Sequence, residues 1–366
     1  MTPHGSGIVS RMKIALDINP IDENSDSNHK IRGVGKYISL LKDNLEKFDK
    51  KNSYVFTSDP NQVDADIIHY PYFDPFFVTL PKKNRIKTVV TVHDVIPITH
   101  SQHFPSGIKG RIKWFINRAR LQKVDSIITD SKASKEELMK VAKIPSSRIF
   151  PIHLAVDKDF RKREILPKEE KEFKSKFNLP GKFFLYVGDV TWNKNLPKLV
   201  NAVKRGGTPL VMVGKAIADD DYDRNNPWNN DRLIIENLAK DKNLFVKLGF
   251  VTTEDLVTLY NLAIALCMPS LDEGFGLPVL ESMSSGCPVI TSDRGSLPEV
   301  GGDAVLYVDP NDEDDIARVL QTISSDENLR ADYAKRGLVQ ADKFSLEKLA
   351  LDTIRVYEKT HQNISK

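Results

Sequence analysis

Short apolar runs alternate with amphipathic helical stretches along almost all of this chain, and that alternation constrains the fold more than any other feature. Met12–Ile18 reads as a first strand, and Gly33–Phe48 carries Val34, Tyr37, Ile38, Leu41 and Leu45 at helical spacing. Strand-like runs recur at Asp66–His69, Thr88–His93, Ser126–Thr129 and Arg148–Ile152. Helical patterns lie at Ser106–Lys123 and Ser131–Ala142, the second opened by Asp130 or Ser131 with Glu136 and Glu137 downstream. The lysine-rich stretch Asp157–Gly181 reads as a connection. The alternation then restarts. Strands are expected at Phe183–Val187, Leu210–Val213, Leu244–Lys247, Ile264–Met268, Pro288–Thr291 and Ala304–Tyr307. Helices are expected at Asn195–Arg205, Arg232–Ala239, Thr253–Leu262, Leu277–Ser285, Asp312–Ser324, Leu329–Asp342 and Ser345–His361. Such a pattern calls for parallel sheets covered on both faces.

A chain of 366 residues exceeds one core of usual size, so two domains are expected. The division predicted is 12–165, 166–344 and a last helical segment 345–366 that is free to cross back to the first domain. Residues 1–11, ahead of a second Met at Met12, are expected to be an added leader outside the fold. Two Cys, Cys267 and Cys287, both in apolar runs, exclude a disulfide scaffold and a Cys-rich zinc module and fit a reducing compartment. No stretch approaches the roughly 20 apolar residues of a membrane span, and no secretory signal is visible, so a cytoplasmic location is expected. The net charge of +3 hides an asymmetry: residues 12–165 hold 27 Lys and Arg against 19 Asp and Glu, residues 166–366 hold 25 against 31. The basic half is suited to an anionic ligand or membrane surface.

The segment Leu271–Gly286, LDEGFGLPVLESMSSG, carries the most chemistry. A strand runs into a turn and then a helix opened by Leu277-Pro278, where a missing proline N–H costs nothing. Gly274 and Gly276 let the backbone approach a ligand. The amides of Phe275, Gly276 and Leu277 are expected to point out of the helix start, where anions bind. Glu273 precedes this nest, and Glu281 lies about one turn into the helix. Two carboxylates beside an amide nest suit a ligand with both phosphate and hydroxyls, such as a nucleotide-sugar.

Glu273-x7-Glu281 resembles the paired-glutamate motif of the family 4 glycosyltransferases. TVHDVIP (91–97), ITDSKASKEEL (128–138), FFLYVGDVTWNKNLPKLV (183–200), LGFVTTEDLVTLYNLA (248–263) and PVITSDRGSLPEVGGDAVLYVDPND (288–312) resemble that family in order and spacing. The resemblance implies the GT-B fold: two Rossmann-like domains with parallel sheets facing across a cleft. It implies a retaining, metal-independent transferase without a cofactor. The donor is a nucleoside-diphosphate sugar, GDP-mannose first and UDP-glucose second. The acceptor is a saccharide, free or linked to polyprenyl diphosphate, as in bacterial mannosyl- and rhamnosyltransferases of surface-polysaccharide (lipopolysaccharide or O-antigen) assembly. No nucleic-acid partner is expected. Glu281 would then bind the ribose, Glu273 the hexose, and the Phe275–Leu277 amides the phosphate or sugar hydroxyls. His93, at a strand end, would contact the donor sugar near the reacting carbon, with Asp94 capping the next turn or orienting His93. Gly33 and Gly35 would lie between donor and acceptor.

Gly188 to Lys194 forms a strand end, a loop and a helix start, with Asn193 and Lys194 on the donor side. Lys194 would stabilise the departing diphosphate. The family often has Arg where this chain has Asp189, and a basic residue where it has Asn193. Lys194 therefore acts alone, or a cation such as Arg32 or Lys36 assists. Ser106–Lys123 has six Lys and Arg and no acid, with Ile108, Ile112, Phe115, Ile116 and Ala119 on one stripe. Two readings stay open for it: a core-packing helix, or peripheral contact with the inner face of a membrane. The run Asp219–Asp223 reads as a solvated loop, and no His/Cys/Asp cluster shows metal-ligand spacing. Two other functions stay open: a different GT-B enzyme (sugar-nucleotide epimerase or phosphorylase), and a non-catalytic sugar-nucleotide-binding protein.

Overall fold

The architecture was taken from a computed structural model, which describes residues 11–22, 33–82 and 86–362. The expected leader, apart from Arg11, and Arg32 lie outside the described residues.

The first half contains β1 (Lys13–Asp17), α1 (Gly33–Phe48), β2 (Ser53–Thr57), β3 (Ile67–Tyr70), β4 (Lys87–Val92), α2 (Ile96–Thr99), α3 (Gly107–Leu121), β5 (Ser126–Thr129), α4 (Lys132–Ala142) and β6 (Ile149–Pro151). The second begins with α5 (Pro167–Phe177), β7 (Phe184–Val187), α6 (Leu196–Gly206), β8 (Leu210–Val213), α7 (Lys215–Ala218), α8 (Asn230–Leu238) and β9 (Phe245–Leu248). It continues with α9 (Thr253–Leu262), β10 (Leu266–Met268), α10 (Leu277–Ser284), β11 (Val289–Ser292), α11 (Leu297–Gly301), β12 (Leu306–Val308), α12 (Glu313–Ser325), α13 (Glu327–Ala341) and α14 (Leu346–Gln362).

Each half holds a six-stranded sheet, β2-β1-β3-β4-β5-β6 and β12-β11-β10-β7-β8-β9. Every strand pairing is parallel. The strands read as continuous apolar runs because helices cover both faces; β3, β5, β8 and β11 are buried at every position. In the second sheet the strand order reverses between β7 and β10, with Leu185 opposite Leu266. Crevices beyond the carboxyl ends of strands at such a reversal are where open α/β sheets bind ligands. The loops that follow these two strands contain Lys194 and Glu273.

Five elements were not anticipated: the short helices α2, α7 and α11, the strand β2 and the longer helix α5. β2 (SYVFT) pairs along its length with β1, Lys13 opposite Ser53. The expected connection Asp157–Gly181 contains α5, which has Pro at its start, Glu169 and Glu170 in its first turn and Lys174 and Lys176 in its last. These charges complement the helix dipole at both ends, and no residue of α5 is buried, so no apolar stripe advertised it. The last helix returns to the first sheet. The Tyr357 hydroxyl meets His69 Nδ1 at 2.7 Å, and Thr360 Oγ1 donates to Ser126 Oγ at 2.7 Å.

α3 turns Gly110, Asn117 and Leu121 inward. Asn117 Nδ2 reaches the carbonyls of Asp74, Pro75 and Phe77 at 3.1, 3.0 and 2.8 Å. Its apolar stripe therefore faces solvent, with Ile108 at 78% and Phe115 at 72% exposure. The core-packing reading of that stripe is thus overturned. Among the described residues, no helix is long and apolar enough to cross a membrane.

Candidate active site

The loop from β10 to α10 lies at the centre of the cleft. Gly276 takes φ +96°, a left-handed conformation that suits glycine, and α10 begins at the next residue with Pro278 in its first turn. Among the described residues, the amides of Phe275, Gly276 and Leu277 donate to no protein acceptor. The expected nest is therefore present and its donors are unspent. The Phe275 side chain turns away, buried between His153 and Phe344.

Glu273 is 7% exposed. Lys194 Nζ donates to both its oxygens at 2.7 and 2.8 Å, and Ser270 Oγ to one at 2.8 Å. Burial opposes the Lys194 charge, but Glu273 outweighs it and raises the lysine pKa. Asn193, expected on the donor, instead holds the loop: its Nδ2 donates to the Asp272 carbonyl at 3.1 Å, and its carbonyl accepts from Leu271 at 2.7 Å. Gly188 is tied to β8, its amide donating to the Val213 carbonyl at 2.9 Å.

Glu281, 4% exposed, has a separate set of partners. Tyr260 OH donates to Oε2 at 3.0 Å, and Lys36 Nζ, from α1, to Oε1 at 2.9 Å. Lys36, Tyr37, Leu154, Phe160, Leu277 and Glu281 line a cavity of about 200 Å³ between α1 and α10. Gly33 sits against Leu277, where an added Cβ would lie 3.3 Å from Cδ1, and Gly35 is buried one residue before Lys36. The two glycines thus bring the start of α1 onto the start of α10.

His93 follows β4. Its Nδ1 donates to Asp130 Oδ2 at 2.8 Å and its Nε2 to the Pro71 carbonyl at 3.1 Å. Both ring nitrogens are thus engaged by protein oxygens. Burial opposes the charge, but Asp130, the Pro71 carbonyl and Asp94 together outweigh it, and the His93 pKa is raised. The Tyr37 ring meets it edge-on at 5.1 Å. The His93 ring nitrogens are therefore spent on protein partners, Asp130 and the Pro71 carbonyl. Asp94 caps the next turn, accepting from the Ile96 amide at 3.0 Å. A Cβ on Gly274 would lie 2.8 Å from Asp94 Cβ and 2.9 Å from the His93 carbonyl, so glycine is what lets β4's end touch the acidic loop. Ser131 and Ser134 donate to the Gly274 carbonyl at 2.8 and 3.0 Å.

Two contacts between the halves had no local signal in the sequence. Glu299 accepts from the Lys132 and Ala133 amides at the start of α4 (3.0 and 2.8 Å) and from His153 Nε2 (3.0 Å). His100, Glu137 and Asp272 converge with their ligand atoms within 4.8 Å of one another, a set with metal-ligand chemistry assembled from three distant segments. His100 Nε2 donates to Asp272 Oδ2 at 2.9 Å. Burial, then the neighbouring Asp272 and Asp94, push the Glu137 carboxyl up to about 8. At neutral pH it therefore keeps a proton. The run Asp219–Asp223 is a largely exposed loop, with Arg232 stacked on Tyr222.

Comparison with known proteins agrees with this geometry. The family described as Glycosyl transferases group 1 matches residues 167–339, and Glycosyltransferase Family 4 matches residues 26–160. O-antigen chain mannosyltransferase B of Escherichia coli is 34% identical over 304 residues, covering 80% of this chain and 75% of that protein. The serotype-specific mannosyltransferase WbdA of Escherichia coli is 29% identical over 281 residues, 74% of this chain but only 33% of WbdA. Among solved structures, Anabaena Alr3699/HepE in complex with UDP-glucose superposes with a TM-score of 0.68 at 16% identity, covering 95% of this chain and 99% of that one. By its sequence relatives and its two facing parallel sheets, the chain belongs to the family 4 glycosyltransferases of GT-B fold and is a glycosyltransferase.

Proposed function

We propose that this enzyme transfers mannose, with retention, from GDP-mannose to a saccharide acceptor in the assembly of a surface polysaccharide of O-antigen type. UDP-glucose is the second donor to test. The observation that carries the reading is the Lys194–Glu273 pair beside the unspent amides of Phe275–Leu277. Two relatives support the sugar by name, as O-antigen chain mannosyltransferase B and as a serotype-specific mannosyltransferase, and the first also supports the setting.

In this mechanism the amides and Lys194 face the donor diphosphate, Glu273 the hexose hydroxyls and Glu281 the ribose. The sugar C1–O bond breaks with its electron pair on the β-phosphate oxygen. The acceptor hydroxyl attacks C1 from the same face, and its proton passes to that leaving oxygen. Positive charge at Lys194, supported by His93 and the helix amides, stabilises the charge that develops. These groups occupy the place a metal ion takes in other phosphate chemistry, so EDTA is expected to leave transfer intact.

The acceptor side is proposed to lie at the inner face of a membrane. Ile108, Ile112 and Phe115 of α3 and the neighbouring Phe77 are more than half exposed, on a helix with no acidic residue. An exposed apolar stripe among lysines and arginines suits an anionic lipid surface, and a polyprenyl-diphosphate-linked acceptor would be presented there. The double variant Ile112→Ser/Phe115→Ser is expected to lose sedimentation with anionic vesicles while turning over a soluble acceptor normally. Equal sedimentation of variant and wild type would remove this part of the reading.

The main test is a thermal-shift screen against nucleotide-sugars followed by product analysis. A true donor at about a hundred times its Kd should stabilise the protein by about 2.7 kcal/mol. Transfer with retained anomeric configuration is expected. Epimerised donor, phosphate-dependent cleavage, or tight binding with neither transfer nor hydrolysis would each point to a different function.

A further inference from the structure

The cation expected beside the donor glycine is missing: Asp189 follows Gly188, and Asn193 precedes Lys194. A second lysine enters the cleft from the opposite half. Lys36 stands on the first turn of α1, three residues after Gly33, so the two share one helix face. Gly33 lies against Leu277, the last of the three residues whose amides are unspent. Lys36, Leu277 and Glu281 line one cavity, so the lysine shares the space in front of that nest. Its ammonium rests on Glu281 Oε1 at 2.9 Å and 4.9 Å from the Phe160 ring centroid. The side chain is 36% exposed where that of Glu281 is 6%. The lysine thus covers the carboxylate from the cavity side.

A ligand reaching Glu281 with hydroxyl groups competes with that ammonium. Two hydroxyls satisfy the carboxylate but do not balance its charge, whereas a diphosphate at the amide nest brings new negative charge within the reach of the displaced lysine. At short range an ammonium favours the diphosphate over a single carboxylate that has gained two new donors.

We propose that Lys36 is the second cation of the donor diphosphate, leaving Glu281 for the phosphates when the ribose hydroxyls take that carboxylate. Lys194 and Lys36, one from each half, then flank the leaving diphosphate. Lys36 contributes only when α1 lies against α10, so cleft closure and charge stabilisation are one event. This inference rests on the donor assignment above and assigns a residue of the first half to the leaving group.

The test uses the full chain and the variants Lys36→Met and Lys36→Arg, with GDP, guanosine and GDP-mannose as probes (UDP, uridine and UDP-glucose if the wild type prefers them). Lys36→Met is expected to weaken GDP binding by about 10- to 100-fold while leaving guanosine binding unchanged. Its kcat should fall by about 100-fold. Lys36→Arg should recover most of the GDP affinity. Thermal unfolding of each variant checks that the fold is retained. GDP affinity and kcat equal to wild type in Lys36→Met would overturn the inference and leave the donor assignment standing. An equal loss for GDP and guanosine would also overturn it, since that is the signature of a lysine that merely positions Glu281. A wild type that binds neither diphosphate would overturn the donor assignment and this inference with it.

Discussion

Glu273 and Glu281 lie two helical turns apart in sequence, yet they are held in opposite ways. Glu273 finds its cation and its hydroxyl, Lys194 and Ser270, within its own half of the molecule. Glu281 finds its hydroxyl nearby in Tyr260, but its cation, Lys36, comes from the other half. Under the proposed donor assignment, the hexose end is held within one half, and the ribose end draws its cation from the other. One motif combines a rigid part with a part that reports closure.

The largest expected effect tests the rigid part. Lys194→Ala should lower kcat by about 100- to 1,000-fold with an unchanged circular dichroism spectrum. A variant that altered only donor KM would break the distinction, because it would place Lys194 in ground-state binding alone. Glu281→Gln tests the other end and should raise donor KM by about 10-fold, with a smaller change in kcat. Reversal of these two patterns in steady-state kinetics would invert the comparison.

The third test concerns the loop in front of Glu273. Folding raises the Glu137 carboxyl from 4.5 to about 8, so between these values the folded protein keeps a proton that the unfolded chain releases. Its contribution to stability therefore falls as pH rises through that window. Glu137→Gln should flatten the decline of Tm between about pH 5 and 8, measured by thermal unfolding at each pH. The smallest effect is expected for Tyr260→Phe. It removes one hydrogen bond from Glu281 and should cost about 1 kcal/mol in stability, with donor KM changed only a few-fold because Lys36 still holds the other oxygen.

The sequence made the layered architecture legible because buried parallel strands are apolar at nearly every position. It also showed the Glu273–Glu281 turn, whose Pro and Gly signals are local. Lys36 meeting Glu281, Glu299 meeting the start of α4, and the convergence of His100, Glu137 and Asp272 were not legible. Each joins the two halves across more than a hundred residues, and neither charge nor spacing along the chain encodes such a meeting. The orientation of α3 was also hidden. Its apolar stripe suited either core or lipid; the structure turns that stripe outward and Asn117 inward, where its side chain collects three carbonyls. β2 escaped notice because only Tyr54 of its residues is buried.

The return of α14 to the first sheet has a mechanical consequence. The polypeptide passes between the halves once after β6 and again after α13, and these passages touch, with the His153 and Phe344 rings 5.5 Å apart. Two adjacent tethers leave one easy degree of freedom, a swing about the line on which they lie. Sliding and twisting of one half over the other would stretch one tether or the other. The two halves are thus joined like the covers of a book along one spine.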